Sequence, residues 1–373
     1  MGELQVGDHV IGRDGRPTQI TGVYPQGERD IYRVTLTDGA SVEVDEDHLW
    51  AVNTPVRKKR GLPEQVFTTA QIRDSLTDAA GNLRHYLPVV EAVQFAPRDL
   101  PVDPYTLGAL LGDGHLSHGL GITTEDDIVS ALELPEPVAA HHAVRLTPQV
   151  STYRLATPGQ WTPNPLKDAL RTLELHGTNS HSKFIPPAYL LASPAQRLAL
   201  LQGLLDTDGH AGTVVEYTSV SRALALGVVE LVQSLGGTAR LKQKVTAHTH
   251  QGERRTGQAW RVTLKLPAHL DPFRLPAKLA AYTRPTKYPP SRASGMSSTW
   301  AASPRSASLW PPLTTCTSPT TTSSLTTRSR PWRTCCWRRN PAAPTGPVWS
   351  WRPPASSGTG RRRRRSSRRT CGS

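Results

Sequence analysis

Apolar positions along this chain follow two patterns. Between residues 100 and 290 they cluster as helices do, most clearly in two Leu-rich stretches that each close on Asp-Gly: Leu107-Gly-Ala-Leu-Leu-Gly-Asp-Gly114 and Leu201-Gln-Gly-Leu-Leu-Asp-Thr-Asp-Gly209. Each stretch has a marked start, because a capping side chain precedes a proline suited to the first helical turn: Asp103 before Pro104, and Ser193 before Pro194. Gly108 and Ala109 in one stretch and Gly203 in the other are small; a glycine inside a helix costs about 1 kcal/mol, so their presence predicts two helix backbones in close approach. Gly114 and Gly209 then release the chain, leaving Asp113 and Asp208 side by side at the bottom of the pair. Residues 1–52 alternate instead over short runs, with Val6-Gly-Asp8, Asp14-Gly15, Tyr32 to Gly39 and Val42 to His48 reading as strands broken by Asp-Gly turns.

Two carboxylates at helix C-termini face ends that are already partially negative, an arrangement that is costly unless a divalent cation neutralises it. The pair therefore predicts a metal. One such stretch alone reads as a leucine-faced core helix with an Asp-Gly turn. Two copies alter that weighting, since Asp113 and Asp208 stand 95 residues apart, room for one αββαββα-like repeat each. Lysines recur at matching offsets: Lys183 lies 70 residues past Asp113, and Lys278 lies 70 past Asp208. Lys265 competes with Lys278, and a solvated surface lysine is the usual fate of that residue type.

The second Leu-rich stretch fits the nine-residue signature of the LAGLIDADG homing endonucleases closely, and the first fits it more loosely. The segment Ser182-Lys-Phe-Ile-Pro-Pro-Ala-Tyr-Leu190 resembles the lysine segment that precedes the second motif in that family. The resemblance implies a monomer that hydrolyses double-stranded DNA at a specific site with Mg²⁺ or Mn²⁺. It implies Asp113 and Asp208 as metal ligands flanked by Gly112, Asp206 and Thr207 or their carbonyls, with Lys183 and Lys278 polarising the attacking water. A metal so held would make water nucleophilic at neutral pH and stabilise the leaving oxygen. A DNA-binding regulator of the same fold, or an inactive intein relic, is the alternative; regulators lose the acidic pair, and both aspartates are present here.

Residues 1–55 resemble the N-terminal half of a Hint domain, the self-splicing fold of inteins. His48 takes the place of the family histidine that assists the first acyl shift, with Asp45 where a threonine is usual, although a lone histidine on a β-strand is more often structural. Met1 falls in the middle of the motif and no closing His-Asn is encoded, so the expectation is that splicing is lost and that a host protein, the extein, belonged to the ancestral precursor.

Composition changes the picture at the other end. Residues 293–373 hold all 4 cysteines, 6 of the 9 tryptophans and 14 arginines, with no Asp, Glu, Lys, Phe, Tyr, Ile or His. That is not a globular composition. Reading the codons of Ser308 to Arg328 one base out of register permits a string ending Val-Thr-His-Asn-Thr, which looks like an intein C-terminus and points to a frame change near Arg292–Ala293. The formal charge of +14 resides in this tail, so the body is neutral and a basic pI is weak evidence for a DNA partner. Local basic runs are the better candidates for DNA contact: Arg57, Lys58, Lys59 and Arg60; Arg240, Lys242 and Lys244; Arg254 and Arg255. Such runs are usually solvated faces.

These readings define an α+β chain: a Hint fragment at 1–55, a linker or DNA-recognition segment at 56–100, two pseudo-symmetric LAGLIDADG repeats at 101–292, and a disordered Arg/Ser/Thr/Pro-rich tail at 293–373. The apolar runs are too short to span a bilayer, no signal peptide opens the sequence, and the cysteine-free body suits the cytoplasm.

Overall fold

The computed structural model describes residues 4–24, 29–117, 119–159, 161–250, 253–284, 292–293 and 348–350. The N-terminal region opens with β1 (His9–Gly12) and β2 (Pro17–Gln19), then β3 (Tyr32–Thr35) and β4 (Ser41–Val44), each pair an antiparallel hairpin. The Asp-Gly turns sit where the alternation ends: Gly15 and Gly39 both take positive φ, a conformation that glycine adopts without strain. Next come β5 (Leu49–Val52), α1 (Pro55–Lys59), β6 (Gln65–Thr68), α2 (Thr69–Asp74) and β7 (Tyr86–Leu87).

β5 pairs with β6 in register Leu49 to Thr68, and one apolar cluster joins Val34, Leu36, Val44, Trp50, Val52, Ile72 and Leu87. The division expected at residue 55 therefore runs through a packed unit. Residues 56–87 complete that unit because β4 and β5 cannot bury their apolar faces alone. His48 lies just before β5 rather than on a strand; its ring packs on Trp50 at 4.7 Å, and its carbonyl accepts the Thr69 amide at 3.0 Å.

The body follows: α3 (Pro104–Asp113), β8 (Gly114–His115), β9 (Gly121–Glu125), α4 (Asp126–Ser130), β10 (Ala139–Arg145), β11 (Val150–Ala156), α5 (Pro165–Thr172) and α6 (Pro187–Leu190). The same order then recurs with α7 (Pro194–Asp208), β12 (Gly209–His210), β13 (Val215–Ser219), α8 (Arg222–Ser234), β14 (Thr238–His250), β15 (Glu253–Lys265) and α9 (Pro276–Ala281). Each half builds a four-stranded antiparallel sheet: β10-β11-β9-β8 in the first and β12-β13-β15-β14 in the second, so corresponding strands hold corresponding places. A single core of leucine, valine and isoleucine side chains from both halves joins them. The expected caps are present, with Asp103 accepting the Thr106 amide at 2.8 Å and Ser193 forming a reciprocal box with Gln196.

The segment before α3 is pinned to the body by Arg197, whose wholly buried guanidinium donates to the carbonyls of Ala192, Ser234 and Val93 and lies over the Phe95 ring. Beyond the body, β16 (Arg292–Ala293) pairs with β7, and β17 (Val348–Ser350) pairs with β1. The expected disordered tail and its shifted-frame string lie otherwise outside the described residues. Among the described residues no helix is long and apolar enough to cross a membrane.

Candidate functional site at the helix pair

α3 and α7 cross at Gly108 and Gly203, whose Cα atoms face each other closely enough that a Cβ built on one would lie 3.0 Å from the other's Cα. A Cβ on Gly108 would stand 2.2 Å from the Leu200 carbonyl oxygen, and one on Gly203 would stand 2.2 Å from that of Tyr105. About one turn on, a Cβ on Gly112 would overlap Thr207 Oγ1 and lie 3.5 Å from Asp208 Oδ2. The small residues thus bring the last residue of each helix, Asp113 and Asp208, to a common end. Gly114 and Gly209 close the helices in extended conformations, so left-handed freedom is not their role; a Cβ there would collide with the carbonyls of Leu110 and Leu205.

The two carboxyls sense each other. Burial and the Asp113 charge push Asp208 up to about 6, against the opposing pull of Lys183 and Lys278. Burial also raises Asp113, although the Thr124 hydroxyl and both lysines work against it. Two ammonium groups therefore do not fully offset the cost of the acidic pair.

The lysines bind elsewhere than expected. Lys183 is buried, and its Nζ donates to the carbonyls of Leu110, Gly112 and Gly114 at 3.0, 2.9 and 2.8 Å. Lys278 Nζ donates to those of Leu205, Thr207 and Gly209 at 3.1, 3.2 and 2.9 Å, and to the backbone carbonyl of Asp206 at 2.6 Å. The first three acceptors in the second set are the 95-residue counterparts of those in the first. An ammonium has three protons, and each lysine spends them on the carbonyls that a helix C-terminus leaves open. In this state neither lysine has a proton for an attacking water. Both act as caps that complement the negative helix end, and Lys265 has no part in them.

Burial lowers the Lys183 ammonium to about 8, so its charge is held at some cost. Lys183→Met is expected to lower stability by about 2 kcal/mol, the loss of several charge-assisted bonds less the relief from burying a charge. Thermal denaturation at pH 7 would measure it, and a variant as stable as the wild type would show that the cap contributes nothing.

Asp206 faces away from the pair. Its carboxylate accepts the Tyr105 hydroxyl at 2.9 Å and the amides of Arg274 and Leu275, and Arg274 lies over the Tyr105 ring at 4.4 Å. It anchors the segment that leads into α9 and so sets the position of Lys278. Its carboxylate therefore stands apart from the pair, while its carbonyl joins those that Lys278 caps. Thr207 turns its hydroxyl back onto the carbonyls of Gly203 and Leu204, leaving only its own carbonyl near the helix end.

The basic runs disperse. Arg240, Lys242 and Lys244 are exposed on one face of β14, and Arg261 on β15 stands directly opposite Lys242 while bonding Glu216 at 3.3 Å. Like charges across a ladder repel unless an anion covers them. Arg57 closes its own loop onto the Pro63 carbonyl, and Lys58 is depressed by burial and by the neighbouring Lys265, so α1, which also carries Lys59 and is capped by Arg60, adjoins the end of β15. Arg254 and Arg255 lie on β15, beyond the part whose side chains are described. On the first sheet, sequence reasoning missed a chain from His115 Nε2 to Thr123 Oγ1 at 2.8 Å and on to Thr152 Oγ1 at 3.0 Å. His48 belongs to the N-terminal unit and not to this site.

Among the described residues no group of three or more His, Cys, Asp or Glu side chains gathers to hold an ion. The donor set at the helix end is two carboxylates with the Gly112 and Thr207 carbonyls close by. Hard oxygen donors with few protein ligands suit a cation that keeps several of its waters, and the raised Asp208 marks carboxylate charge that the lysines leave uncompensated.

Over 254 residues the chain is 33% identical to a protein named Replicative DNA helicase DnaB from Mycobacterium intracellulare, a match covering 63% of this chain and 39% of that protein. The chain thus spans well under half the length of that relative. Residues 195–264, from the second residue of α7 to the last but one of β15, match the LAGLIDADG-like domain family, and the match takes in the second of the two Asp-bearing helices.

Proposed function

We propose that this chain is a site-specific double-strand DNA endonuclease of intein origin, built on two pseudo-symmetric LAGLIDADG repeats. The observation that carries the reading is the doubled helix end: two aspartates and two lysine caps, each related to its counterpart by the same 95-residue offset. Asp113 and Asp208, with the carbonyls of Gly112 and Thr207, would hold Mg²⁺ or Mn²⁺. Such an ion lowers the pKa of a bound water and stabilises the leaving oxygen of a phosphodiester. The protein's part is to keep the carboxylates close and charged. The glycine crossing fixes their separation, the lysine caps fix the helix ends that carry them, and Asp206 with Tyr105 fixes the second cap.

The exposed faces of the two sheets are the surface we assign to DNA. Arg240, Lys242, Lys244 and Arg261 supply phosphate contacts that position the duplex, and the His115–Thr123–Thr152 chain supplies polar groups on the other half. A continuous stretch covering 63% of 373 residues necessarily overlaps residues 195–264. The relative named as a helicase therefore shares part of the LAGLIDADG-like segment, as an intein lodged in a helicase host would; the N-terminal unit with His48 fits the Hint portion of such an insertion.

The test is cleavage by the full chain, with Mg²⁺, of a plasmid carrying the uninterrupted replicative-helicase coding sequence of the source genome. A single linear product, absent with EDTA, is the expected outcome. Intact plasmid at every Mg²⁺ and Mn²⁺ concentration would overturn the reading.

A further inference from the structure

The two halves of the centre differ in one buried hydroxyl. Tyr217 is wholly buried on β13, and its Oη makes no hydrogen bond within normal geometry. A buried phenol almost always finds a partner, and a side chain that served only to fill the core would do as well without the oxygen. The ladder places Tyr217 directly opposite Gly209, the residue after Asp208. In the first half the equivalent place, opposite Gly114 and beside Asp113, is taken by Ile122.

A second difference runs along the same strands. The Thr124 hydroxyl on β9 serves Asp113, whereas its counterpart Ser219 on β13 accepts the Ser221 amide at 3.1 Å at the start of α8. Asp113 thus has a hydroxyl neighbour committed to it. On the Asp208 side Ser219 serves the phenol instead: its oxygen accepts the Ser221 amide and its proton favours the phenol oxygen, so the phenol's own proton is the one without an acceptor, within the electrostatic reach of both aspartates.

We propose that Tyr217 is a positioning residue for one half of the centre only, its hydroxyl donating to a water held at Asp208 once a divalent cation binds, so that the two DNA strands are cut at unequal rates. This rests on the endonuclease reading above. Ile122 can offer no such bond, so the inequality is built into the fold and not imposed by the DNA sequence.

Tyr217→Phe in the full chain removes the oxygen and little else. With each strand of the substrate end-labelled, cutting of one strand is expected to slow about tenfold while the other changes less than twofold; slowing of both by one factor, or of neither, would overturn the proposal. Two measurements need no cleavage. In EDTA the variant should melt close to the wild type, since the phenol donates no bond to the protein, and clear destabilisation would mean that its contact with Ser219 is structural. Mn²⁺ binding followed by electron paramagnetic resonance should weaken about tenfold, the scale of losing an outer-shell hydrogen bond. If the wild type cuts no DNA, the endonuclease reading fails, and the Mn²⁺ comparison still decides Tyr217: equal affinities would refute its role.

Discussion

Replacing Asp208 by asparagine is expected to abolish DNA cleavage and, at the same time, to stabilise the metal-free protein at neutral pH. The first effect should reach roughly a thousandfold or more, the scale of removing a group that stabilises charge at a reacting centre. The second follows from the raised acidity constant. Folded Asp208 holds its proton up to about 6, against 3.8 for an ordinary aspartate, so the fold favours the protonated form. Stability from this group is complete below pH 3.8 and is lost as pH rises through about 6. For an enclosed carboxyl such a shift corresponds to about 3 kcal/mol. Asp208 is itself exposed at the end of α7, and solvent screening brings the figure to roughly 1 kcal/mol. Asparagine is neutral throughout. Melting in EDTA from pH 4 to 7 should therefore show the wild type losing ground to the variant, with the order reversed at pH 7 in excess Mg²⁺. A variant less stable than the wild type at pH 7 without metal would show that the carboxylate is not under strain, and the argument for a cation between the aspartates would lose its physical basis.

Much of this site is legible from residue order alone, because its main features are local or periodic. Asp103-Pro104 and Ser193-Pro194 mark the helix starts, and the equal offsets of Lys183 and Lys278 mark them as equivalents. What a long side chain does with its charge is not local. The lysine caps depend on where the segments before α6 and at α9 return, and only the packed structure shows that carbonyls take their protons. The turn of Asp206 away from the site was readable: two residues along an α-helix amount to about 200° of rotation, so Asp206 and Asp208 cannot face the same ion. The extent of the N-terminal unit was not, since the pairing of β5 with β6 brings in residues past the turn and α1 that follow β5. The inequality of Tyr217 and Ile122 emerges only once the strand register aligns them.

The close helix crossing sets two opposing effects against each other, and magnitudes decide between them. Gly203→Ala should gain about 1 kcal/mol in helix propensity. The added carbon, however, would lie 2.2 Å from the Tyr105 carbonyl oxygen and 2.8 Å from the Ala109 amide nitrogen, both backbone atoms that no rotamer change can move. The helices must part by about an ångström to admit it, and overpacking of this kind costs 1–3 kcal/mol or more. A net loss of about 2 kcal/mol is the expected result. Gly212→Ala is the control, since the nearest atom to its new carbon lies 3.8 Å away, and its stability should stay within about 0.5 kcal/mol of the wild type. Parting the helices also separates Asp113 from Asp208, so the Gly203 variant should lose cleavage while Asp208 titrates at a lower pH than in the wild type, as read from carboxyl carbon shifts in NMR. An alanine variant that is stable and fully active would mean that the helices do not meet backbone to backbone, and that the aspartate pair is held together by some other contact.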